Sequence, residues 1–279
     1  MKFNKDLAAI HAYLCADGYV IKNPETQEHK YYHIGLRNTN ENLLLNFQTR
    51  FRNVFGLEPH ICKDGRCRIQ NKEIYNFLTS EFSYYSHEWK MPKLSKRNLT
   101  VWLRAFFDCE AWIFVKKGQD RRIGLDSVNK KGLLDIKKAL ETYGINSKFH
   151  KTKRNIYRLY IYGKNNLVRF RKNIGFLHPD KKKKLEAAID SYAKYEWIFP
   201  KNPDKKFVVQ LIKTKGKLKQ PCTLRFNSIL RKNITNLSVL LYKHFKIKSK
   251  IYKRKNKHSE YYELAVYGKQ DIKKILNQG

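Results

Sequence analysis

The spacing of hydrophobic residues predicts a unit of helices and strands that occurs three times along the chain. Amphipathic runs with apolar residues at three- and four-residue steps, the spacing of helices with one buried face, cover 40–51, 131–143 and 233–245. Each run passes into a short turn and a strand that ends on lysine, within 55–63, 143–151 and 245–253. Self-similarity of this kind indicates a repeated architecture.

Runs of apolar and polar residues predict four strands in every unit. Two strands precede each amphipathic helix, at 19–23 with 31–38, 112–117 with 121–128, and 207–213 with 222–226. A further strand follows the helix and its first strand, at 66–70, 157–163 and 262–268. This order favours a four-stranded antiparallel sheet with helices on one face, so we predict an α+β fold. The expected units are 1–97, 98–197 and 198–279, the third being an accessory ββαββα unit without an acid-tipped helix.

The chain is strongly basic. Lys and Arg total 59 against 24 for Asp and Glu, a formal net charge of +35, which indicates a polyanion partner. With 42% hydrophobic residues the chain has enough apolar material to fold. No run approaches the roughly 20 apolar residues of a membrane span, and the N-terminus lacks a secretory cleavage pattern. We therefore expect no membrane partner and a cytoplasmic or nucleoid-associated location, or an organellar one if an organellar intron encodes the chain.

Strand alternation places basic residues on one face of each sheet. In the strand at 66–70, Cys67 and Ile69 face the core and the other residues face outward, and the strand at 157–163 repeats this pattern. Such a face also suits an ordinary soluble sheet, but the net charge favours nucleic acid, since Arg, Lys and Gln read base edges in the major groove. The residues that we predict to contact DNA are His33, Arg37, Lys63, Arg66, Arg68, Gln70, Lys116, Arg122, Lys148, His150, Arg158 and Tyr160.

The cysteines predict no disulfide framework. There are five, an odd number, and no CxxC pair occurs, which argues against a zinc ribbon. Cys62 and Cys67 flank a turn with Asp-Gly at its centre, a sequence that favours a two-residue hairpin loop. In that register the two thiols face each other across the strands as buried side chains, with a metal or redox role as the alternative.

Two short stretches carry the candidate chemistry. Residues 12–18 and 105–111 each combine small and apolar residues with one carboxylate near a helix end, Asp17 and Glu110, which are 93 residues apart. Small side chains at four-residue steps let helix axes approach closely, which would bring the two acids together. An acid is disfavoured at a helix C-terminus and two adjacent acids repel, so a bound cation would relieve both penalties. An ordinary buried helix pair is the alternative interpretation.

These stretches, with the strand pattern that follows each of them, resemble the LAGLIDADG homing endonucleases in their single-chain form. Residues 10–18 and 103–111 lie over the nine-letter motif of that family, and its penultimate acid falls on Asp17 and Glu110. The resemblance extends over about residues 4–196 and leaves the third unit outside.

Four residues depart from the motif. His11 and Arg104 replace small or apolar residues, at positions that we expect to face outward, and Ala111 replaces the closing glycine. A glutamate at position 110 in place of aspartate is a mild change, because it remains an oxygen ligand for Mg²⁺.

The resemblance implies a saddle of two αββαββα domains about a pseudo-twofold axis, acting as a monomer on a long, asymmetric site in double-stranded DNA. Asp17 and Glu110 would hold Mg²⁺, with Mn²⁺ able to substitute, and each would serve one strand in hydrolysis that leaves 3′ overhangs. The family also uses basic residues near the scissile phosphates. The candidates in the loops that lead to the next helix are Lys93, Lys96, Lys182 and Lys183.

Three functions remain open at this point. The first is a site-specific double-strand endonuclease, the second an intron RNA-binding maturase of the same fold, and the third a DNA-binding regulator that does not cleave. The chain opens on Met1 and closes at 277–279 without a terminal His-Asn pair, so we expect a free-standing, intron-encoded protein rather than an intein.

Overall fold

The computed structural model describes residues 1–116, 120–152, 154, 156–192, 196–219, 222–255 and 260–276. The chain divides into two compact units, Met1–Tyr192 and Ala193–Gly279. Among the helices of the described ranges, none combines the length and the apolar character needed to cross a lipid bilayer.

The first compact unit contains the same succession of elements twice. The first half comprises α1 Lys5–Cys15, β1 Gly18–Lys22, β2 Tyr32–Arg37, α2 Glu41–Phe55, β3 His60–Cys62, β4 Arg66–Gln70 and α3 Lys72–Thr79. The second half comprises α4 Lys96–Glu110, β5 Trp112–Lys116, β6 Asp120–Ser127, α5 Lys130–Glu141, β7 Ser147–Lys151, β8 Tyr157–Tyr162, α6 Lys164–Asn173 and α7 Pro179–Asp190.

The second compact unit has the same order of elements, and here one prediction was wrong. Its elements are α8 Lys205–Lys215, β9 Lys217–Lys219, β10 Thr223–Ser228, α9 Arg231–Phe245, β11 Lys250–Lys255, β12 Glu260–Tyr267 and α10 Lys269–Leu276. The run at 207–213 is helical rather than extended, because Asp204 caps a helix there by accepting from Phe207 N at 2.7 Å. This second compact unit, which is the third repeat of the sequence, therefore also begins with a helix, although that helix carries no acid at its end.

Each of the three repeats, namely the two halves of the first compact unit and the second compact unit, forms one four-stranded antiparallel sheet. This confirms the α+β fold class. The strand orders are β1-β2-β4-β3, β5-β6-β8-β7 and β9-β10-β12-β11, here called the first, second and third sheets. Alternate hydrophobic residues of the central strands are buried against the helices, as with Ile34 and Leu36 of β2 and Leu159 and Ile161 of β8. The opposite face of each sheet, here called its outer face, carries the polar residues. The boundaries at 97/98 and 197/198 stay predictions.

The β3–β4 hairpin differs from the prediction. Cys62 pairs with Arg66 and Ile61 pairs with Cys67, so the loop has three residues and the two cysteines do not face each other. Gly65 takes the left-handed conformation, with φ of 78°, that closes a three-residue loop. Cys67 is buried while Cys62 is half-buried on the opposite face, and all five cysteines of the chain are free thiols.

Helix α1 lies at the centre of the first compact unit. Residues 7–15 are buried without interruption, which is the pattern of a helix surrounded by other elements. Arg104 of α4 is exposed, as expected, and its Nε donates to Ile174 O at 2.6 Å. His11 was expected to face outward and is instead fully buried.

Candidate metal and nucleic-acid site

Helices α1 and α4 pack directly against each other. Ala8 and Ala12 of α1 and Ala105 of α4 are buried, as the small-residue spacing predicted. Trp102 Nε1 of α4 donates to His11 Nδ1 of α1 at 3.1 Å, which links the two helices through a buried hydrogen bond. The close packing brings the C-terminal ends of the two helices to one place in the molecule.

Asp17 lies just after the end of α1, where the chain turns into β1. A Cβ on Gly18 would stand 2.4 Å from Leu14 Cα, so the tight exit from the helix requires glycine. Asn38 Nδ2 donates to Asp17 Oδ2 at 2.7 Å, and Arg37 N donates to Asp17 O at 3.2 Å. The first bond orients the half-buried carboxylate, and the second anchors the main chain that carries it.

Glu110 is the last residue of α4 and the counterpart of Asp17 in the second half. The chain passes from Glu110 through Ala111 directly into β5. Ala111 has φ of −76° and ψ of 140°, an extended conformation open to any residue, so this exit does not require the missing glycine. Tyr19 and Trp112 each lie two residues beyond the acid, at equivalent positions of β1 and β5.

The two carboxylates lie near enough to influence each other, and we call them the acid pair. Burial, followed by the charge of Asp17, raises the pKa of Glu110 to about 7. The Cys109 thiol hydrogen-bonds to Asp17, and burial together with the charge of Asp17 raises the pKa of that thiol. The electrostatic penalty predicted for two acids at adjacent helix ends is therefore present in the fold.

Lys181 of α7 supplies the cation at this point, whereas the sequence analysis selected its neighbours Lys182 and Lys183 from the run at 181–184. Its Nζ donates to three main-chain carbonyls at the end of α4, those of Asp108 at 2.6 Å, Cys109 at 2.9 Å and Phe107 at 3.4 Å. Burial lowers the pKa of Lys181, and Cys109, Asp108 and then the acid pair oppose that shift. The ammonium group therefore offsets the negative end of the α4 dipole beside Glu110.

A further buried carboxylate, Asp108, fixes the segment that carries Lys181. Its Oδ1 accepts from Leu177 N at 2.9 Å and from His178 N at 3.0 Å, which anchors the chain immediately before α7. Burial raises the pKa of Asp108 to about 6 even though these two bonds oppose the shift. Asp108 thus has a structural partner of its own and does not join the acid pair.

A cleft of 260 Å³ opens beside Glu110. Trp89, Asp126 and Ser127 contribute to its walls, and the charge of Asp126 adds to the raised pKa of Glu110. Asp126 itself pairs with Arg158, whose Nε lies 2.9 Å from Asp126 Oδ1. The second half of the site therefore holds an additional acid, Asp126. The sequence analysis missed it because the sequence of β6 does not show how close this residue lies to Glu110.

The donor set fits magnesium better than zinc. Among the described residues, no group of three or more His, Cys, Asp and Glu side chains is arranged to hold a metal ion. Zinc sites generally need three or four such ligands, whereas Mg²⁺ is commonly held by one or two carboxylates together with water and substrate phosphates. The acid pair supplies two carboxylates and leaves the remaining positions to water and phosphate.

The outer faces of the first two sheets carry the residues predicted to contact DNA. On the first sheet these are His33, Arg37, Arg66, Arg68 and Gln70, with Lys63 in the β3–β4 loop. On the second sheet they are Lys116, Arg122, Lys148, His150, Arg158 and Tyr160. Their contact with DNA stays a prediction, and their common placement on the faces away from the helices is what such contact requires.

Neighbouring groups hold the arginines of the second sheet in place. Arg122 lies over the Tyr160 ring with 4.6 Å from its guanidinium carbon to the ring centroid, and its Nε lies 3.3 Å from Asp120 Oδ2. Trp112 packs against Gly124, where a Cβ would stand 2.3 Å from the indole ring. This face is thus a preassembled layer of rings and guanidinium groups.

The four lysines proposed for phosphate contact lie at different places. Lys96 begins α4, so it stands about 21 Å along the helix axis from Glu110 and is not brought to the acid pair. Lys93 is exposed in the preceding loop. Lys182 and Lys183 are exposed on α7 beside Lys181, close in sequence to the site. Their contact with phosphate stays a prediction.

The fold and the site together define a protein class: two helix-led units, each with a four-stranded antiparallel sheet, joined at a helix pair whose ends bring two carboxylates together. Residues 98–175, most of the second half, match the family model described as a LAGLIDADG-like domain. The predicted resemblance is confirmed over these residues, which contain the second of the two motifs, at 103–111.

Several solved structures are similar to this chain. I-DmoI in complex with DNA and Ca is 19% identical, covering 66% of this chain and 100% of that chain with a TM-score of 0.48. The homing endonuclease I-WcaI bound to its DNA recognition sequence is 14% identical, covering 66% and 88%, with a TM-score of 0.46. Full-length DUF199/WhiA from Thermatoga maritima is 15% identical, covering 77% and 68%, with a TM-score of 0.46.

One curated protein matches as well. Glutamine–fructose-6-phosphate aminotransferase [isomerizing] of Methanocaldococcus jannaschii is 27% identical over 203 residues, which are 66% of this chain and 17% of that protein. The matched stretch is thus about a sixth of the relative's length, and the aminotransferase name describes that whole protein.

Proposed function

We propose that this protein is a metal-dependent endonuclease that cuts both strands of double-stranded DNA at a specific site. The observation that carries the proposal is the acid pair: two carboxylates placed by packed helices in a chain with a net charge of +35. A binder gains nothing from two repelling acids, whereas phosphodiester hydrolysis requires a cation site of this composition. The match of residues 98–175 to a LAGLIDADG-like domain supports the same function.

The chain's own residues prepare this site. Asn38 fixes the orientation of Asp17, and Lys181 neutralises the end of α4 beside Glu110, whose carboxylate has no hydrogen bond or ion pair to any residue of the described ranges. Asp17 and Glu110 would together hold Mg²⁺ or Mn²⁺, which when bound lowers the pKa of a water molecule and stabilises charge on the leaving oxygen. The hydrolysis adds water across one phosphodiester bond in each strand and leaves a phosphate on one fragment and a hydroxyl on the other.

Outer-face residues of the first and second sheets provide recognition in this proposal. The rings and guanidinium groups over Gly124 are already ordered, which lowers the entropy cost of docking in the major groove. The exposed lysines and histidines around them supply contacts to the phosphates, which contribute affinity but no sequence information.

The proposal is tested with purified protein and DNA that joins the sequences flanking its own gene without the gene itself. With Mg²⁺ we expect one double-strand break, with both ends mapped to a single short 3′ overhang, and no break in EDTA. Asp17→Asn and Glu110→Gln should each abolish the double-strand break yet bind the DNA as the unaltered protein does, while exposed Asp190→Asn should cleave normally.

Two outcomes would contradict the proposal. Full cleavage by both variants would remove the acid pair from the reaction. Tight binding to the RNA transcript of the surrounding intron, with no cleavage of any flanking DNA, would identify a maturase instead.

A further inference from the structure

The second compact unit repeats the helix-to-strand exit that positions the acids in the first. Helix α8 ends at Lys215, and Gly216 leads into β9 with φ of −74° and ψ of 145°, close to the −76° and 140° of Ala111 after α4. Gly216 N donates to Ile212 O at 2.8 Å, as Ala111 N donates to Phe107 O at 3.1 Å. The residue that corresponds to Glu110 is therefore Lys215.

Strand register confirms the correspondence and extends it across the sheet. In the first and second sheets, the residue two beyond the acid is aromatic, and it pairs with a glycine of the next strand: Tyr19 with Gly35, and Trp112 with Gly124. A Cβ on Gly35 would stand 2.6 Å from Tyr19 Cζ, and one on Gly124 would stand 2.3 Å from Trp112 Cζ2, so an aromatic side chain covers the backbone there.

In the third sheet the same row is cationic. Lys217 takes the place of the aromatic residue and pairs with Arg225, which stands where the glycine does in the other sheets. Arg225 pairs with Ala265, and Ala265 pairs with Lys250 on the edge strand. Lys217, Arg225 and Lys250, here called the cationic row, thus span the four strands on the outer face.

Exposure and pairing within the row match a phosphate-binding surface. Lys215, Lys217 and Lys250 are exposed. Arg225 is held by Glu263, with Nη1 3.3 Å from Oε2, while its Nε has no hydrogen-bond partner within the described part of the chain. Three of these four cations are therefore available to a ligand as they stand.

Charge is also concentrated in this unit. Residues 193–279 hold 22 of the 59 Lys and Arg residues but only 5 of the 24 Asp and Glu residues. Nearly half of the net charge of the whole chain thus lies in less than a third of its length. A surface of this kind suits a polyanion with regularly spaced charges, which is the backbone of a DNA duplex.

We infer that the second compact unit is a non-cleaving DNA clamp, in which Lys215 and the cationic row bind backbone phosphates of the duplex where the first unit carries acids and rings. This inference rests on the proposed DNA-binding function. Because phosphate contacts carry no sequence information, the unit adds affinity to every duplex and leaves the cutting position to the first unit.

The test measures binding of the full-length protein to a fluorescent DNA duplex of arbitrary sequence, in EDTA, over a series of KCl concentrations. The variant is Lys215→Gln with Lys217→Gln and Lys250→Gln. Its matched control neutralises three exposed lysines on the helices that cover the other face of the sheet, Lys243, Lys273 and Lys274. Circular dichroism and thermal unfolding establish that both variants are folded.

The slope of log K against log salt is negative, and losing three phosphate contacts should make it less steep by about 2.7, at roughly 0.9 for each contact. When KCl is raised from about 50 to 200 mM, the factor by which affinity falls should then be roughly 40 times larger for the unaltered protein than for the variant. The control should keep the slope of the unaltered protein.

An unchanged slope in the variant, or an equal decrease in the control, would overturn the inference. A decrease for an RNA duplex but not for DNA would overturn it as well, and would assign the surface to RNA. Since the measurement needs no metal and no cleavage, it stands apart from the cleavage assay: a protein that binds in this way but never cuts would contradict the proposed endonuclease and keep the clamp.

Discussion

The buried histidine of α1 makes a quantitative prediction about stability and pH. His11 is fully buried among Phe3, Phe82, Tyr84 and Trp102, and its Nδ1 accepts from the indole of Trp102. The imidazole is therefore neutral in the folded protein, and burial lowers its pKa from 6.5 to about 3. Once unfolded, the same side chain is free to bind a proton below its ordinary pKa.

The sign and size follow from proton linkage. As the pH falls below 6.5, the unfolded chain takes up a proton that the folded protein refuses until about pH 3, so the folded state loses stability throughout that window. One pKa unit corresponds to about 1.4 kcal/mol, so lowering the pH to about 5 should cost about 2 kcal/mol through His11 alone.

Two carboxylates act in the opposite direction and must be separated from this effect. Asp108 and Glu110 have pKa values raised to about 6 and about 7, so the folded protein binds their protons at a higher pH than the unfolded chain does. Their contribution to stability therefore increases as the pH falls. For this reason the prediction concerns the difference between the unaltered protein and a His11 variant.

His11→Asn isolates the effect, because an amide oxygen can accept from Trp102 in place of Nδ1 and does not titrate. Urea unfolding at about pH 7.5 and about pH 5 should show that the unaltered protein loses about 2 kcal/mol more than the variant between the two conditions. Exposed His29→Asn serves as the control and should follow the unaltered protein. Equal pH dependence in the unaltered protein and His11→Asn would refute the neutral, buried histidine.

Two further predictions concern the site and the recognition face. Lys181→Gln removes the ammonium group from three carbonyls at the end of α4 and should lower the free energy of unfolding by about 1–2 kcal/mol. The control Lys182→Gln, at the exposed neighbouring position, should change the free energy of unfolding by less than about 0.5 kcal/mol. Equal effects of the two substitutions in chemical denaturation would contradict the capping role of Lys181. Gly124→Ala places a Cβ against Trp112 and should lower the free energy of unfolding by about 1–3 kcal/mol. In a protein that already carries Trp112→Ala, the same substitution should have a much smaller effect. Additive losses in this double-mutant cycle would disprove the contact.

Much of the fold could be predicted because its determinants are local. Alternation along β2 and β8 identifies their buried faces, and the helical spacing at 233–245 identifies α9 whatever packs against it. The prediction of a strand at 207–213 was wrong because a short apolar stretch fits a buried strand as well as a helix. The signal that decides it is Asp204, a helix N-cap residue three positions before Phe207.

The candidate site divides in the same way. Asp17 and Glu110 could be named from sequence, since each sits at the end of a helix where an acid is unfavourable. The role of Lys181 depends on how α7 folds back onto the end of α4, which no local pattern contains. The signal that could have found it is its spacing from buried Leu185 and Ala188, which places Lys181 on their face of the helix and distinguishes it from exposed Lys182.

Terbium binding tests the central claim, a single cation site between two helix ends, most directly. Trp89 lines the same cleft as Glu110, so a Tb³⁺ ion held by the acid pair should show emission sensitised by tryptophan. We predict that Mg²⁺ competes for this signal, and that Asp17→Asn and Glu110→Gln each weaken it at least tenfold while exposed Asp190→Asn leaves it unchanged. Emission that survives in both acid variants, or that depends equally on Asp190, would show that the two carboxylates do not form one site.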